Sequence, residues 1–251
     1  MTQITLETPN GPLPAYLARP NDAGGAGGPG PWPGVVVIQD ALGVNDDLHH
    51  QADRLAANGY LAIAPDLYGR GGRKFSCMRS AFGQLRARSG AIFEDLEAAR
   101  LHLLALPECT GRTGVIGFCM GGGFALLAAA KYDFDAASVN YGEVPEDAAD
   151  LLAGRCPIVA SYGGRDKPFK AMPGRLEAAL TQCELPHDVK VYPDAGHGFM
   201  NQADGALYAI AKTLSGTTAR LGYRRDSAED SWRRILAFFD EYVKGATPET
   251  H

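Results

Sequence analysis

Apolar residues in this chain arrive in short blocks whose spacing switches back and forth between strand-like and helix-like. Val35-Val36-Val37-Ile38 is an unbroken apolar run, as expected of a strand buried on both faces. Downstream, Asn45 offers a side-chain oxygen to cap a helix in which Leu48, Ala52, Leu55 and Ala56 recur at spacings of three and four up to Gly59. The alternation then repeats. Strands are predicted over 60–65, 114–117, 136–141, 158–162 and 189–192, and helices over 91–106, 120–131 and 175–183. A closing helix is predicted over 230–243, with Trp232, Ile235, Phe238 and Phe239 as its apolar face. Strands alternating with helices imply an α/β chain: one mostly parallel sheet, right-handed crossovers and helices on both faces. We read 1–251 as a single domain.

The ends and gaps of this pattern are less regular. Segments 4–7 and 13–18 read as an antiparallel hairpin turned by Pro9-Asn10-Gly11. Stretch 21–34 carries six glycines and three prolines and predicts an irregular surface loop rather than a domain boundary. Segment 70–89 is rich in Gly and Arg and shows no clear period. Segment 202–227 is longer than ordinary connections, which predicts a binding loop or a concealed short helix over 206–214.

Composition narrows the function. With 45% hydrophobic and 21% charged residues, the chain can bury a sizeable core, which excludes disorder. A net charge of −5 leaves no basic footprint for nucleic acid. The first residues, Met1-Thr2-Gln3-Ile4-Thr5-Leu6, lack the pattern of a secretory signal, so a cytoplasmic protein is expected. No apolar stretch approaches the ~20 residues of a membrane helix. Five cysteines without paired spacing predict free thiols, neither a disulfide framework nor a zinc site.

One of those thiols stands apart. Gly117-Phe118-Cys119-Met120-Gly121 sits where a predicted strand gives way to a predicted helix, the pattern of a nucleophile elbow with Cys in place of Ser. Such a turn is too tight for side chains at its flanks, hence the glycines. It lifts the sulfur above the sheet edge at a helix N-terminus, whose partial positive charge favours thiolate. Cys77, Cys109, Cys156 and Cys183 have no such setting and read as small hydrophobes.

A nucleophile needs a base. His197, in Asp194-Ala195-Gly196-His197-Gly198-Phe199, follows the last predicted strand; His49, His50, His102 and His187 read as surface or helix-face histidines. An acid must then fix the imidazole tautomer, and Asp166, at the end of the 158–162 strand, is the candidate. The rival acid Asp194 lies only three residues before His197 and fits a turn-shaping role. Asp166 in turn has a plainer alternative, a solvated ion pair with Arg165 or Lys167. The order Cys119, Asp166, His197 is that of α/β-hydrolases.

At this point the chain resembles the dienelactone hydrolase family, an α/β-hydrolase branch with a cysteine nucleophile. The resemblance runs from Val35-Val36-Val37-Ile38-Gln39-Asp40-Ala41-Leu42-Gly43-Val44-Asn45, through Ile63-Ala64-Pro65-Asp66-Leu67-Tyr68 and the elbow, to Asp166 and His197. It implies hydrolysis of an enol-lactone or related carboxylic ester through an acyl-enzyme. The backbone N–H groups of Met120 and Ala41 are then expected to form the oxyanion hole. Two departures stand out. The family usually has Glu where this chain has Asp40, and that carboxylate is a thiol-activating candidate; Asp is one methylene shorter, and the alternative is that Asp40 only orders its own loop. The family's arginine shortly after the histidine is missing from Phe199-Met200-Asn201, which leaves Arg70, Arg73 or Arg79 as substitutes for holding a substrate carboxylate.

The expected partner is a small-molecule ester or lactone, with no nucleic acid and no membrane, and no metal or organic cofactor is called for. Two other classes remain open at this level. Cys119 could act as a thiol redox sensor, or the chain could be a non-catalytic binding protein on a hydrolase scaffold.

Overall fold

The computed structural model describes residues 2–20, 30–202 and 218–245, together with Ala209 and Thr213. One eight-stranded sheet organises them. Its strands are β1 (Thr2–Leu6), β2 (Leu13–Ala18), β3 (Trp32–Ile38), β4 (Leu61–Pro65), β5 (Cys109–Phe118), β6 (Ala136–Asn140), β7 (Ile158–Gly163) and β8 (His187–Tyr192), in the spatial order β1-β2-β4-β3-β5-β6-β7-β8. The pairs made by β2 are antiparallel, with Leu6 opposite Leu13 in the predicted hairpin; every other neighbouring pair is parallel.

The crossovers are helical: α1 (Asp46–Ala57), α2 (Lys74–Ala87), α3 (Ala91–Ala105), α4 (Met120–Lys131), α5 (Ala148–Leu152), α6 (Met172–Gln182) and α7 (Arg225–Phe239), the last running into a π-helical turn over Asp240–Lys244. Asn45 caps α1 as expected, its side chain accepting from Leu48 N–H. The two helical layers follow from the register of the sheet. Gly114 pairs with Val35, so Gly34, paired with Thr113, faces the opposite side. A Cβ on Gly34 would press on Leu103 of α3, whereas one on Gly114 would meet Val243 and Phe239. The α3 layer and the α7 layer therefore cover opposite faces. Phe93 packs on Phe124 of α4 in the first layer, and Arg54 of α1 lies over Trp232 of α7 in the second.

The structure adds to the sequence reading in several places. Segment 70–89, which shows no period, contains α2. Only Ala81 and Leu85 of that helix are buried and Phe75 is 72% exposed, so there is no apolar stripe to detect. The irregular stretch predicted over 21–34 ends early: Trp32 already belongs to β3 and its N–H donates to Glu108 O at 2.8 Å. Residues 21–29 lie outside the described residues. So does most of the helix expected over 206–214, whose two described members, Ala209 and Thr213, are helical. All five cysteines are free. Among the described residues, no helix is long and apolar enough to cross a membrane.

Candidate active site

Cys119 is the single residue between β5 and α4, held at φ 57° and ψ −117°. That left-handed φ is costly for a residue with a side chain and persists only where the surroundings enforce it. Here they do. Cys119 N–H donates to Asn140 O at 3.0 Å, and Cys119 O accepts from Gly122 N–H at 2.9 Å. Buried Asn140 Nδ2 donates to Gly117 O and to Ser138 Oγ, tying the elbow to β6. The glycines are required by contact rather than by taste. A Cβ on Gly117 would stand 1.9 Å from Gly121 O, and one on Gly121 would stand 2.4 Å from Gln39 O. Cys119 is partly exposed and immediately precedes the first turn of α4.

His197 lies in the turn after β8, and its N–H donates to Ala219 O at 2.8 Å. Asp166 follows β7. The two loops approach so closely that a Cβ on Gly163 would lie 2.4 Å from Gly196 O. That approach sets His197 Nδ1 2.6 Å from Asp166 Oδ2, with the carboxylate 1% exposed. The imidazole also faces the Cys119 side chain, which bears on its charge. Burial alone would lower the imidazole pKa. The facing Cys119 charge and the hydrogen bond to Asp166 outweigh it and raise the pKa to about 10. Phe169 and Tyr141 close around the ring, with centroids 4.9 and 5.2 Å away.

The alternatives open at the sequence level sort themselves by geometry. Arg165 pairs with Asp194, which is 81% exposed, leaving Asp166 to the histidine. His49 is stacked on Tyr16 at 4.3 Å, and His187 Nδ1 lies 2.6 Å from Leu185 O. Neither the Met120 nor the Ala41 N–H has a protein acceptor among the described residues. Asp40 is half-buried, and its carboxyl accepts Leu42 N–H at 2.7 Å. Burial pushes its pKa up to about 6, against the pull of that hydrogen bond. No hydrogen bond joins it to Cys119 among the described residues. Arg70 is committed elsewhere: both its terminal nitrogens bind buried Asp95, at 2.6 and 2.8 Å, and one also reaches Thr8 Oγ1 and Gly11 O. Of the three arginines considered for substrate, this one serves the fold.

Several neighbours carried no local signal. Tyr141, at φ 41°, donates its hydroxyl to Asn201 Oδ1, and Asn201 Nδ2 donates to Asp47 Oδ2 at 2.7 Å. Asp47 also accepts Gln202 N–H and Gln51 Nε2, so a buried polar chain anchors the histidine loop to α1. Tyr68 rests against Met120 and Ala41, its hydroxyl 3.8 Å from Met120 Sδ and 3.3 Å from Ala41 O. Only the position of Tyr141 just beyond β6, at a strand's carboxyl end, hints at such a role.

A strained strand-to-helix turn at the centre of a mostly parallel sheet, with Asp166 and His197 just beyond later strand ends, defines an α/β-hydrolase fold. The family model described as dienelactone hydrolase family matches residues 13–243. A chain of Escherichia coli K12 carrying the provisional name carboxymethylenebutenolidase is 32% identical over 252 residues, covering 92% of this chain and 83% of its own. A crystal structure from Klebsiella pneumoniae, provisionally named a dienelactone hydrolase, superposes with TM-score 0.74 at 27% identity, covering 96% of this chain and 98% of the other. A dienelactone hydrolase-like promiscuous phosphotriesterase from metagenomic libraries gives TM-score 0.74 at 25% identity, with coverages of 96% and 98%. The chain belongs to the dienelactone hydrolase family, and it is a hydrolase.

Proposed function

We propose that this hydrolase cleaves a carboxylic ester or enol-lactone by a Cys-His-Asp mechanism with an acyl-enzyme intermediate. The observation that carries the reading is the imidazole of His197, bonded to Asp166 at 2.6 Å and facing Cys119 at its strained turn. The thiolate of Cys119 attacks the carbonyl carbon, and the carbonyl π electrons move onto oxygen. The N–H groups of Met120 and Ala41 receive that oxyanion, in line with their lack of a protein acceptor among the described residues. Collapse of the tetrahedral state expels the alkoxide or enolate, which takes a proton from the His197 imidazolium. The neutral imidazole then removes a proton from water, whose oxygen displaces the thiolate and releases the acid. Asp166 holds the ring in one orientation and supports its positive charge in both halves.

The names of the relatives point to lactones among the substrates, and the resemblance to the family points the same way. An aryl ester is the practical probe. The wild-type protein turns it over and Cys119→Ala does not, and mass spectrometry after brief incubation with lactones and aryl esters finds one acyl group on Cys119. Equal turnover by Cys119→Ala overturns the proposal. Acidic overall charge and a site of this kind favour a small molecule over nucleic acid as the partner.

A further inference from the structure

Building on the proposed mechanism, we infer that Asp40 and Tyr68 are positioning residues that jointly aim the Ala41 N–H at the substrate oxyanion. The loop leaving β3 has two consecutive peptide planes, and both are pinned. The first contains Asp40 C=O and Ala41 N–H; its carbonyl accepts Gly43 N–H at 3.3 Å, which fixes the direction in which the Ala41 N–H points. The second contains Ala41 C=O and Leu42 N–H. Its N–H donates to Asp40 Oδ1 at 2.7 Å and its carbonyl accepts the Tyr68 hydroxyl at 3.3 Å. An oxyanion donor contributes only when it is aimed before charge develops, because a freely rocking peptide must be reoriented during the reaction.

The neighbourhood supports the same division of labour. Tyr68 comes from the loop after β4, and that loop is itself fixed: Tyr68 N–H donates to Asp66 Oδ1, Asp66 N–H donates to Pro14 O, and Leu67 N–H donates to buried Gln39 Oε1. Gly43, at φ 87°, lets the chain lie flat on the Tyr68 ring, where a Cβ would stand 3.1 Å away. The Tyr68 hydroxyl also lies 3.8 Å from Met120 Sδ, so one side chain touches both residues whose N–H groups form the proposed hole. The chemistry explains Asp at position 40. A carboxylate bonded to the N–H two residues on closes an Asx-turn, which Asp and Asn form readily and the longer Glu side chain does not.

The test separates the hole from the nucleophile. Alkylation of Cys119 by iodoacetamide is a displacement at saturated carbon and develops no oxyanion, so its rate reports the thiolate alone; aryl-ester turnover needs both. Asp40→Ala and Tyr68→Phe are expected to lower kcat by ~10-fold or more, a fraction of the 10²–10³ that follows loss of an oxyanion donor, with KM within ~3-fold. Alkylation rates stay within ~2-fold of wild type across pH. Asp40→Asn, whose amide oxygen can rebuild the Asx-turn, recovers most of the kcat lost in Asp40→Ala. The inference is overturned if Asp40→Asn is as impaired as Asp40→Ala and alkylation slows in step, because the carboxylate charge then acts on the thiol. A wild-type protein that is alkylated at Cys119 yet turns over no ester overturns the proposed hydrolysis, and this inference with it.

Discussion

His197 Nδ1 and Asp166 Oδ2 stand 2.6 Å apart although 31 positions separate them in the chain, and both side chains are shielded from water. On the proposed mechanism, the carboxylate in that setting sets the imidazole tautomer and balances its charge without competition from solvent. Asp166→Asn keeps the shape and removes the charge. We expect kcat for an aryl ester to fall by about 10³–10⁴-fold with KM little changed. Retention of more than a tenth of the wild-type kcat would count against this role.

The raised imidazole pKa ties stability to pH. Folded His197 holds its proton up to about 10, whereas in the unfolded chain it releases it near 6.5. Its contribution to stability is therefore complete below the unfolded value and disappears as pH rises through the folded one. The largest favourable cause is the charge of Cys119. Urea midpoints between pH 6 and 10 should decline less steeply in Cys119→Ala than in wild type; parallel declines would show that the two groups do not interact.

Arg70→Ala is expected to affect folding rather than substrate. Asp95 is 1% exposed and loses both guanidinium bonds, which leaves a buried carboxylate without its counter-charge and with the Asn10 amide at 3.3 Å. The loss should be about 2–4 kcal/mol by urea denaturation, somewhat below the range for fully buried pairs because Arg70 is partly exposed. KM for an anionic ester should stay within ~2-fold of wild type, and a selective rise in that KM would return Arg70 to the substrate site.

Tyr141→Phe deletes one hydroxyl from the polar chain that reaches Asp47 through Asn201. Asn201 Oδ1 then has no donor in a buried setting, at a cost of about 1–3 kcal/mol. Because Asn201 follows the histidine loop and Tyr141 packs edge-on to His197, kcat should fall together with stability. A thermal melt and an ester assay on the same preparation check both; an unchanged melting temperature would argue against the hydrogen bond.

How much of this was legible depended on whether the signal was local. Buried strands and half-buried helices leave periodic apolar residues, so β3, α1 and α4 were readable, and Gly117, Gly121 and Cys119 announced the elbow because steric crowding within five residues dictates the glycines. Helix α2 was invisible since it buries only two side chains. Tyr68, Tyr141 and Asn201 were equally silent, as nothing near them in sequence distinguishes a tyrosine that packs on a loop from one that packs elsewhere.

The amino-acid order alone therefore determined the alternation of strands and helices and the strained turn at Cys119, and it offered His197 with two rival acids, Asp166 and Asp194. Only the folded sheet decided that Asp166 turns to His197 while Arg165 takes Asp194, that Arg70 is spent on Asp95, and that Asp40 closes on Leu42. The reason is physical: a covalent neighbour restricts backbone angles over a few residues, whereas the choice among hydrogen-bond partners is made by burial, which exists only once distant strands lie side by side.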